Sequence, residues 1–172
     1  MLLIFRPFQI GDVISVAGIT AKVAEIELFS TTMDTPDNRR MILPNSSVFG
    51  STIENITFHA VRRVDVSVGV EYSAAIDETR ETLSRAIADI PGQDDEREPQ
   101  VVLGDLGDSA VNWQVRVWAP TEDYFAMKET VTRAVKIALD DAGIGIPFPQ
   151  MDVHVDTVGA PAGTPSEGDA KW

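Results

Sequence analysis

The order of expected secondary structure changes near residue 58, and this change constrains the fold more than any other feature of the sequence. Residues 1–57 contain short β-rich stretches at 12–16, 19–32, 39–43 and 51–57, separated by turn residues such as Ala17-Gly18. The longest helix expected there is about one turn. Four or five short strands in so small a segment favour a strongly bent β barrel or sandwich.

Residues 58–158 alternate strands and helices instead. Strands are predicted at 64–70, 100–103, 110–119 and 151–158, and helices after Ser73 and Thr121, which we expect to act as N-caps. Trp113 and Trp118 fall on opposite faces of one strand, so one of them is expected in the core. The order β-α-β-β-α-β predicts a ferredoxin-like, split-βαβ arrangement of two helices on a four-stranded sheet. The predicted fold class is therefore α+β.

The composition divides the chain along the same lines. We assign residues 10–57 to the small β domain, 58–150 to the ferredoxin-like domain and 151–158 to the final strand. Residues 159–172 contain mainly Gly, Pro, Ala, Ser and charged residues, with Trp172 at the end. This last segment is predicted to be a disordered tail.

Charge argues against several classes of partner. Fourteen Lys and Arg residues against 27 Asp and Glu residues give a net charge of −13. A surface of that sign repels phosphate backbones and anionic lipid headgroups, so no nucleic-acid partner is expected. The only basic pairs, Arg39-Arg40 and Arg62-Arg63, are interpreted as surface or interface ion pairs.

Few residues are suited to catalysis or metal binding. The chain has no cysteine, and its two histidines, His59 and His154, are far apart in sequence. No glycine-rich phosphate-binding motif and no G-x-S-x-G nucleophile motif occurs. Asp152, His154 and Asp156 share one face of the final strand, where the solvated-face interpretation is favoured over a cation site. We therefore predict no enzyme activity, no catalytic residues, no cofactor and no metal site.

Four groups of motifs, taken together and in order, resemble the cytoplasmic part of the small-conductance mechanosensitive (MscS-type) ion channel family. The resemblance covers about residues 5–158 and fits the two-domain layout. The motifs are Phe5-Arg6-Pro7-Phe8 with Gly11-Asp12; Phe29-Ser30-Thr31-Thr32-Met33 with Ile42-Leu43-Pro44-Asn45; Val61-Arg62-Arg63 with Gly69-Val70-Glu71-Tyr72; and Val115-Arg116-Val117-Trp118 with Ala142-Gly143-Ile144 and Pro147-Phe148-Pro149-Gln150-Met151-Asp152.

The resemblance implies a tension-gated channel that releases ions and small osmolytes on hypo-osmotic shock. It implies that residues 1–9 are the stub of a pore-lining helix followed by an elbow, in which Arg6 and Pro7 contact the membrane part. It further implies a homoheptamer, with an Sm-like β domain beneath the membrane and ferredoxin-like domains around a vestibule with side portals. The protein would sit at the cytoplasmic face of the bacterial inner membrane. The chain as given would be soluble and meet the bilayer only through transmembrane helices that it lacks.

The resemblance also implies that the final strands of seven copies form an intersubunit β barrel. Alternation along the strand places Met151, Val153 and Val155 on one face and the acidic residues on the other. Seven acidic faces turned inward would repel one another, so we expect Met151, Val153 and Val155 to fill the lumen.

The sequence departs from the family pattern at Gln9, where a second basic residue is common, and at Ser46, where glycine is common. Two alternatives stay open at this stage. One is an Sm-like RNA-binding ring, and the other is a ferredoxin-like ligand-sensing or metal-sensing domain.

Overall fold

The computed structural model describes residues 7–154, and it contains two separate antiparallel β-sheets with helices on the second. The α+β fold class is confirmed. The first sheet has the strand order β4-β3-β2-β1-β5. Its elements are β1 (Val13–Val16), β2 (Ile19–Ile26), β3 (Ser30–Asp34), β4 (Arg40–Pro44), the short helix α1 (Asn45–Phe49) and β5 (Ile53–Asn55).

Local sequence explains how the first sheet turns and bends. Ala17 and Gly18 both have positive φ, 50° and 77°, which is the backbone of a tight two-residue hairpin between β1 and β2. The register of β2 against β3 shifts between Val23 and Glu25, and a bulge of this kind increases local bending. The bent sheet encloses a small core that contains Phe8, Ile14, Val16, Ala21, Val23, Met33, Leu43 and Val48.

The second sheet has the strand order β6-β8-β7 and carries two helices. On the opposite face of the sheet, the residues of the central strand are half-buried. A single 3-10 turn, Thr121–Asp123, links the last strand to the last helix. The elements are β6 (Val61–Val70), α2 (Ile76–Ile87), β7 (Gln100–Leu106), β8 (Val111–Pro120) and α3 (Tyr124–Asp141).

The central strand β8 anchors the second core. Its residues alternate strictly between buried and half-buried, and Trp113 is 1% exposed on the helix side. Trp118 lies half-buried on the opposite side, where the guanidinium carbon of Arg97 lies 5.2 Å from the ring centroid. The sequence prediction that one of the two tryptophans is core is therefore confirmed. Helix α3 packs on the sheet through Met127, Val131, Val135 and Leu139.

Both predicted N-caps are wrong. Helix α2 begins at Ile76 and α3 at Tyr124, and neither has a side-chain capping bond. The Ser73 hydroxyl donates instead to the Glu71 carboxylate, 3.2 Å away. The Thr121 hydroxyl donates to the backbone oxygen of a residue 62 positions earlier in the chain. Ser73 therefore takes a local partner outside the helix, and Thr121 takes a tertiary partner that the sequence alone does not show.

The second sheet has three strands, not the expected four. Residues 143–154 contain no strand, so the described part of the predicted final strand, 151–154, is not paired within the chain. Pro147 and Pro149 have no N–H group, and two such residues in alternate positions disfavour pairing with a sheet edge. The rest of the predicted strand and the tail 159–172 lie outside the described residues.

Candidate functional site

The chain enters the first sheet through a turn that is tied to two strands. The backbone N–H of Gly11 donates to the oxygen of Val23, and that of Val23 donates to the oxygen of Asp12, each at 2.8 Å. The Asp12 carboxylate accepts bonds from the Gln9 backbone N–H at 2.9 Å and from the Asn55 amide at 2.8 Å. Gly11 has φ 100°, a conformation that favours glycine. The entry turn is therefore fixed to both β2 and β5.

The residues of the predicted elbow precede this turn. Pro7 is exposed, and Phe8 is 3% exposed because its ring lies in the core of the first sheet. Arg6 lies outside the described residues. Phe8 therefore joins the chain that follows Pro7 to the core of the first sheet.

The segment that leaves the second domain is held at two points. The Glu71 backbone N–H donates to the oxygen of Gly145 at 3.0 Å, and the Gln150 backbone N–H donates to the Ser109 hydroxyl at 3.0 Å. A Cβ atom on Gly145 would lie 2.2 Å from the Glu71 carboxylate, so only glycine fits without moving that side chain. The exit segment thus has a defined starting direction that the sequence did not reveal.

The predicted lumen residues project from this segment into solvent. Met151 is 85% exposed and Val153 is 69% exposed, and Asp152 and His154 are exposed as well. Val155 lies outside the described residues. Two large apolar side chains left uncovered at the end of a tethered segment are typical of a surface that another chain covers.

The linker between the sheets is tied to the start of α3. The Thr121 backbone N–H donates to the oxygen of Ala60 at 2.8 Å, and its hydroxyl donates to the oxygen of His59 at 2.6 Å. The guanidinium carbon of Arg62 lies 4.2 Å from the centroid of the Tyr124 ring. The contribution of His59 to this junction is through its main chain.

Carboxylates gather at the linker end of the second sheet. Val61 pairs with Pro120 at this end, and the Asp94 backbone N–H donates to the oxygen of Trp118, which brings the 88–99 loop to the same place. We call the exposed acids of this loop and of the 3-10 turn Thr121–Asp123 the acidic rim. They are Asp89, Asp95, Glu96, Glu98, Glu122 and Asp123.

The predicted basic pairs are largely neutralised by neighbours. The hydrogen bond from Arg40 holds the pKa of Asp34 below its ordinary value of 3.8. Exposed pairs of this kind contribute little to stability. They engage three of the four arginines in the two basic pairs. The pairs are Arg39 with Asp37 at 2.6 Å, Arg40 with Asp34 at 2.9 Å and Arg63 with Asp65 at 2.7 Å.

Between residues 7 and 154, no three His, Asp or Glu side chains come together as metal ligands. A surface cleft of about 400 Å³ lies beside the exit segment, where the Tyr72 hydroxyl donates to the oxygen of Gly107 at 2.6 Å.

Among residues 7–154, no helix is both long and apolar enough to cross a bilayer.

Comparison with known proteins identifies the family to which both sheets belong. A family model described as "Mechanosensitive ion channel, beta-domain" matches residues 1–58, and one described as "Mechanosensitive ion channel MscS, C-terminal" matches residues 64–146. The two sheets therefore define the class: they are the beta-domain and the C-terminal domain of a mechanosensitive ion channel. More particularly, the chain belongs to the MscS family.

Named relatives agree with this assignment. An uncharacterised MscS family protein of Synechocystis is 43% identical over 90% of this chain and 52% of its own length. The small-conductance mechanosensitive channel of Edwardsiella ictaluri is 38% identical over 90% of this chain and 54% of its own length. The chain thus spans about half the length of these relatives.

A solved structure shows the same arrangement. The closed-state crystal structure of Helicobacter pylori MscS matches with a TM-score of 0.85 at 33% identity, over 91% of this chain and 62% of that one. Its similarity extends over both sheets of the present structure.

Proposed function

We propose that this chain is the vestibule-forming cytoplasmic part of a tension-gated channel that releases ions and small osmolytes on hypo-osmotic shock. The observation that supports the proposal most is the match of both sheets to H. pylori MscS at a TM-score of 0.85. The entry turn fits this role, because Phe8 and Asp12 fix the chain that arrives from the membrane side to the sheet.

A chimera tests the proposal. Residues 5–172 would replace the matching part of an MscS channel that retains its transmembrane helices, and currents would be recorded from membrane patches under suction. We expect pressure-activated currents and rescue of cells that lack their own channels after osmotic downshock. A matched chimera with Val115→Asp, which places a charge at a fully buried site, should give neither. A chimera that assembles in the membrane but never opens would refute the proposal.

We infer that the working form is a homoheptamer. Within residues 7–154 both edges of the first sheet, β4 and β5, are unpaired, and open edges of this kind are suited to pairing with another chain. Native mass spectrometry of the chain would show a seven-membered ring. A monomer at micromolar concentration would contradict autonomous assembly.

In this ring, the final strands form a barrel with Met151, Val153 and Val155 inside. Thermal melts of the assembled ring would test the orientation. Val153→Asp should destabilise the assembly strongly, because seven carboxylates would meet in a narrow lumen, whereas Asp152→Asn on the opposite face should have little effect. The reverse ranking would show that the acidic face points inward.

The acidic rim would bias permeation towards cations. Seven copies carry 7 × (−13) = −91 charges. Screening over about 8–10 Å at physiological salt limits their effect to narrow passages, and the rim lies at the end where the chain arrives from the first sheet. Replacing Glu96 and Glu98 by Gln should shift the reversal potential of the chimera towards anions. The matched change at Asp77 and Glu78, in the first turn of α2, should shift it less.

The elbow would join the cytoplasmic part to the membrane part. Arg6 and Pro7 are proposed to contact the membrane hairpin, and Gln9 leaves Arg6 as the basic group at this point. In the chimera, Arg6→Gln should change the pressure threshold, whereas Gln9→Ala should not. Equal thresholds for Arg6→Gln and the parent chimera would exclude this contact.

A further inference from the structure

The exit segment carries one large aromatic side chain between two prolines. Phe148 follows Pro147 and precedes Pro149, and it is 84% exposed. Each proline ring fixes its own φ near about −65°, and a residue that precedes a proline is restricted to extended backbone. The segment is tied to the domain through the Gly145 oxygen on one side and the Gln150 N–H on the other. Phe148 is therefore presented to solvent on a stiff arch that is attached at both ends.

Two more large apolar side chains are exposed at the same end of the second domain. Tyr72 lies two residues after β6 and is 55% exposed, and Leu106, the last residue of β7, is 69% exposed. The Tyr72 hydroxyl donates to the oxygen of Gly107 at 2.6 Å, which holds the ring beside the turn that follows Leu106. We call Tyr72 and Leu106 the exit patch.

Phe148 is close to the exit patch of its own chain but leaves it uncovered. The cleft of about 400 Å³ is lined by Tyr72, by Ser109 after β7, and by Pro147 and Gln150 on either side of Phe148. A ring packed on the patch of its own chain would itself be buried, whereas the Phe148 ring is in solvent. Both the ring and the patch are therefore free to contact another chain.

The uncovered apolar area is large for a single chain. An aromatic side chain has about 150–250 Å² of surface, so Phe148 and Tyr72 at these exposures leave about 200–350 Å² in water. Leu106, Met151 and Val153 add further apolar surface. The largest apolar patch on a typical monomer is about 300–600 Å², and a standard interface takes about 800 Å² from each partner. This end of the domain therefore has the apolar area that a protein–protein contact needs.

A second copy of this chain is the partner that the geometry favours. In the proposed barrel, the final strands of neighbouring copies lie about 4.8 Å apart. Three extended residues span at most about 10 Å, so Phe148 lies within about 15 Å of the start of the next copy's strand. In every copy the Gln150 N–H bonds to the Ser109 hydroxyl at 3.0 Å, three residues from Leu106. Pairing of the final strands thus brings Phe148 of one copy towards the exit patch of the next.

We propose that Phe148 of each copy docks on the exit patch, Tyr72 and Leu106, of the next copy. Such a contact is heterologous, so each copy contributes one Phe148 and receives one, and a closed ring leaves none in water. The stiff arch lowers the entropy cost of the contact, because its backbone is ordered before binding. The inference rests on the proposed ring of final strands and adds the side chains that join neighbouring second domains beside it.

Disulfide trapping tests the contact directly, because the chain has no cysteine. Phe148→Cys combined with Leu106→Cys would be introduced into the chimera described above, built on a cysteine-free host channel, and oxidised mildly in membranes. We expect a ladder of intermolecular products that extends to the full ring on a gel without reductant. Each single variant can form no product larger than a dimer.

The matched control combines Phe148→Cys with Phe125→Cys. Phe125 is 80% exposed but lies beyond the other end of β8, whose ten residues span about 30 Å. A faster monomer band for the first pair would show that Phe148 covers the patch of its own chain, which would overturn the proposal. Equal ladders for the two pairs, or no ladder for the first, would overturn it as well.

A second measurement uses the full chain without cysteines. In native mass spectrometry, Phe148→Ser should lower the fraction of assembled ring severalfold, whereas Phe125→Ser should not change it. Leu106→Ser should act like Phe148→Ser, and the double variant should lose little more than either, because the two side chains share one contact. All of these sites are exposed, and circular dichroism would confirm folding. Additive losses, or a ring fraction for Phe148→Ser equal to that of Phe125→Ser, would refute the docking.

These outcomes are separate from channel activity. A chimera that conducts under tension without forming the ladder would refute the docking alone. A silent chimera that forms the full ladder would refute the proposed function alone.

Discussion

The Asn45 side chain bonds to Thr31 and to two carbonyls of the turn between β2 and β3. Its removal in Asn45→Ala should destabilise the first sheet by about 2–3 kcal/mol. Three side-chain hydrogen bonds disappear, and each bond of this kind contributes about 0.5–1.5 kcal/mol net. The buried hydroxyl of Thr31 loses a partner as well, and an unsatisfied buried group costs about 1–3 kcal/mol. The partial exposure of the carbonyls reduces the sum, because water replaces two of the bonds. Alanine also favours the helical state of α1 by about 0.5 kcal/mol.

Urea unfolding followed by far-ultraviolet circular dichroism would measure this loss. Thr31→Val removes only the hydroxyl, and it should cost about 1 kcal/mol in the wild type but much less in the Asn45→Ala background, since the two groups share one bond. Asn112→Ala is a matched control, because its amide makes a single 3.3 Å bond to exposed Asp105. A loss below about 0.5 kcal/mol for Asn45→Ala, equal to the control, would refute a stabilising role for these hydrogen bonds.

Three further outcomes follow from single contacts. Because the pKa of Asp34 is lowered, its pair with Arg40 stabilises the fold fully above pH 3.8, and this contribution is lost as the pH falls further. In an NMR titration, Arg40→Gln should raise the pKa of Asp34. An unchanged pKa would exclude the pair as the cause of the shift. Leu139→Ala, at a fully buried site on α3, should cost about 2–5 kcal/mol in urea unfolding, and a loss below 1 kcal/mol would mean that the site collapses. Gly69→Ala places a Cβ 2.8 Å from that of Ala110 and should lower the free energy of unfolding by about 1–3 kcal/mol. Adding Ala110→Gly should restore thermal stability. No recovery would contradict the clash.

Much of the element order could be predicted because its signals are local. Alternation over 110–119 identifies β8 and its buried face. Gly143, directly after α3, has φ 68°, as is typical of a glycine at the end of a helix. The turn at Ala17-Gly18 also has the expected backbone. In each case the decisive interactions lie within a few residues, so the pattern of residue types is sufficient.

The family assignment was predicted from motifs and is confirmed by the comparisons. The heptamer, the elbow contact of Arg6 and Pro7, and the barrel orientation of Met151, Val153 and Val155 stay predictions. They concern other chains or membrane segments, whose contacts are not encoded in the periodicity of this one.

The sequence by itself determined the two-part architecture, the helix and strand types and the acidic character of the second part. Only the tertiary structure decided which partner each polar side chain takes. Pro44-Asn45 reads as the end of a strand, yet Asn45 clamps a turn 16–18 residues earlier in the chain; Ser73 and Thr121 read as helix caps, yet they bond elsewhere. A hydroxyl or amide has several bonding options of similar energy, and the choice among them depends on which groups the packed core brings within about 3 Å.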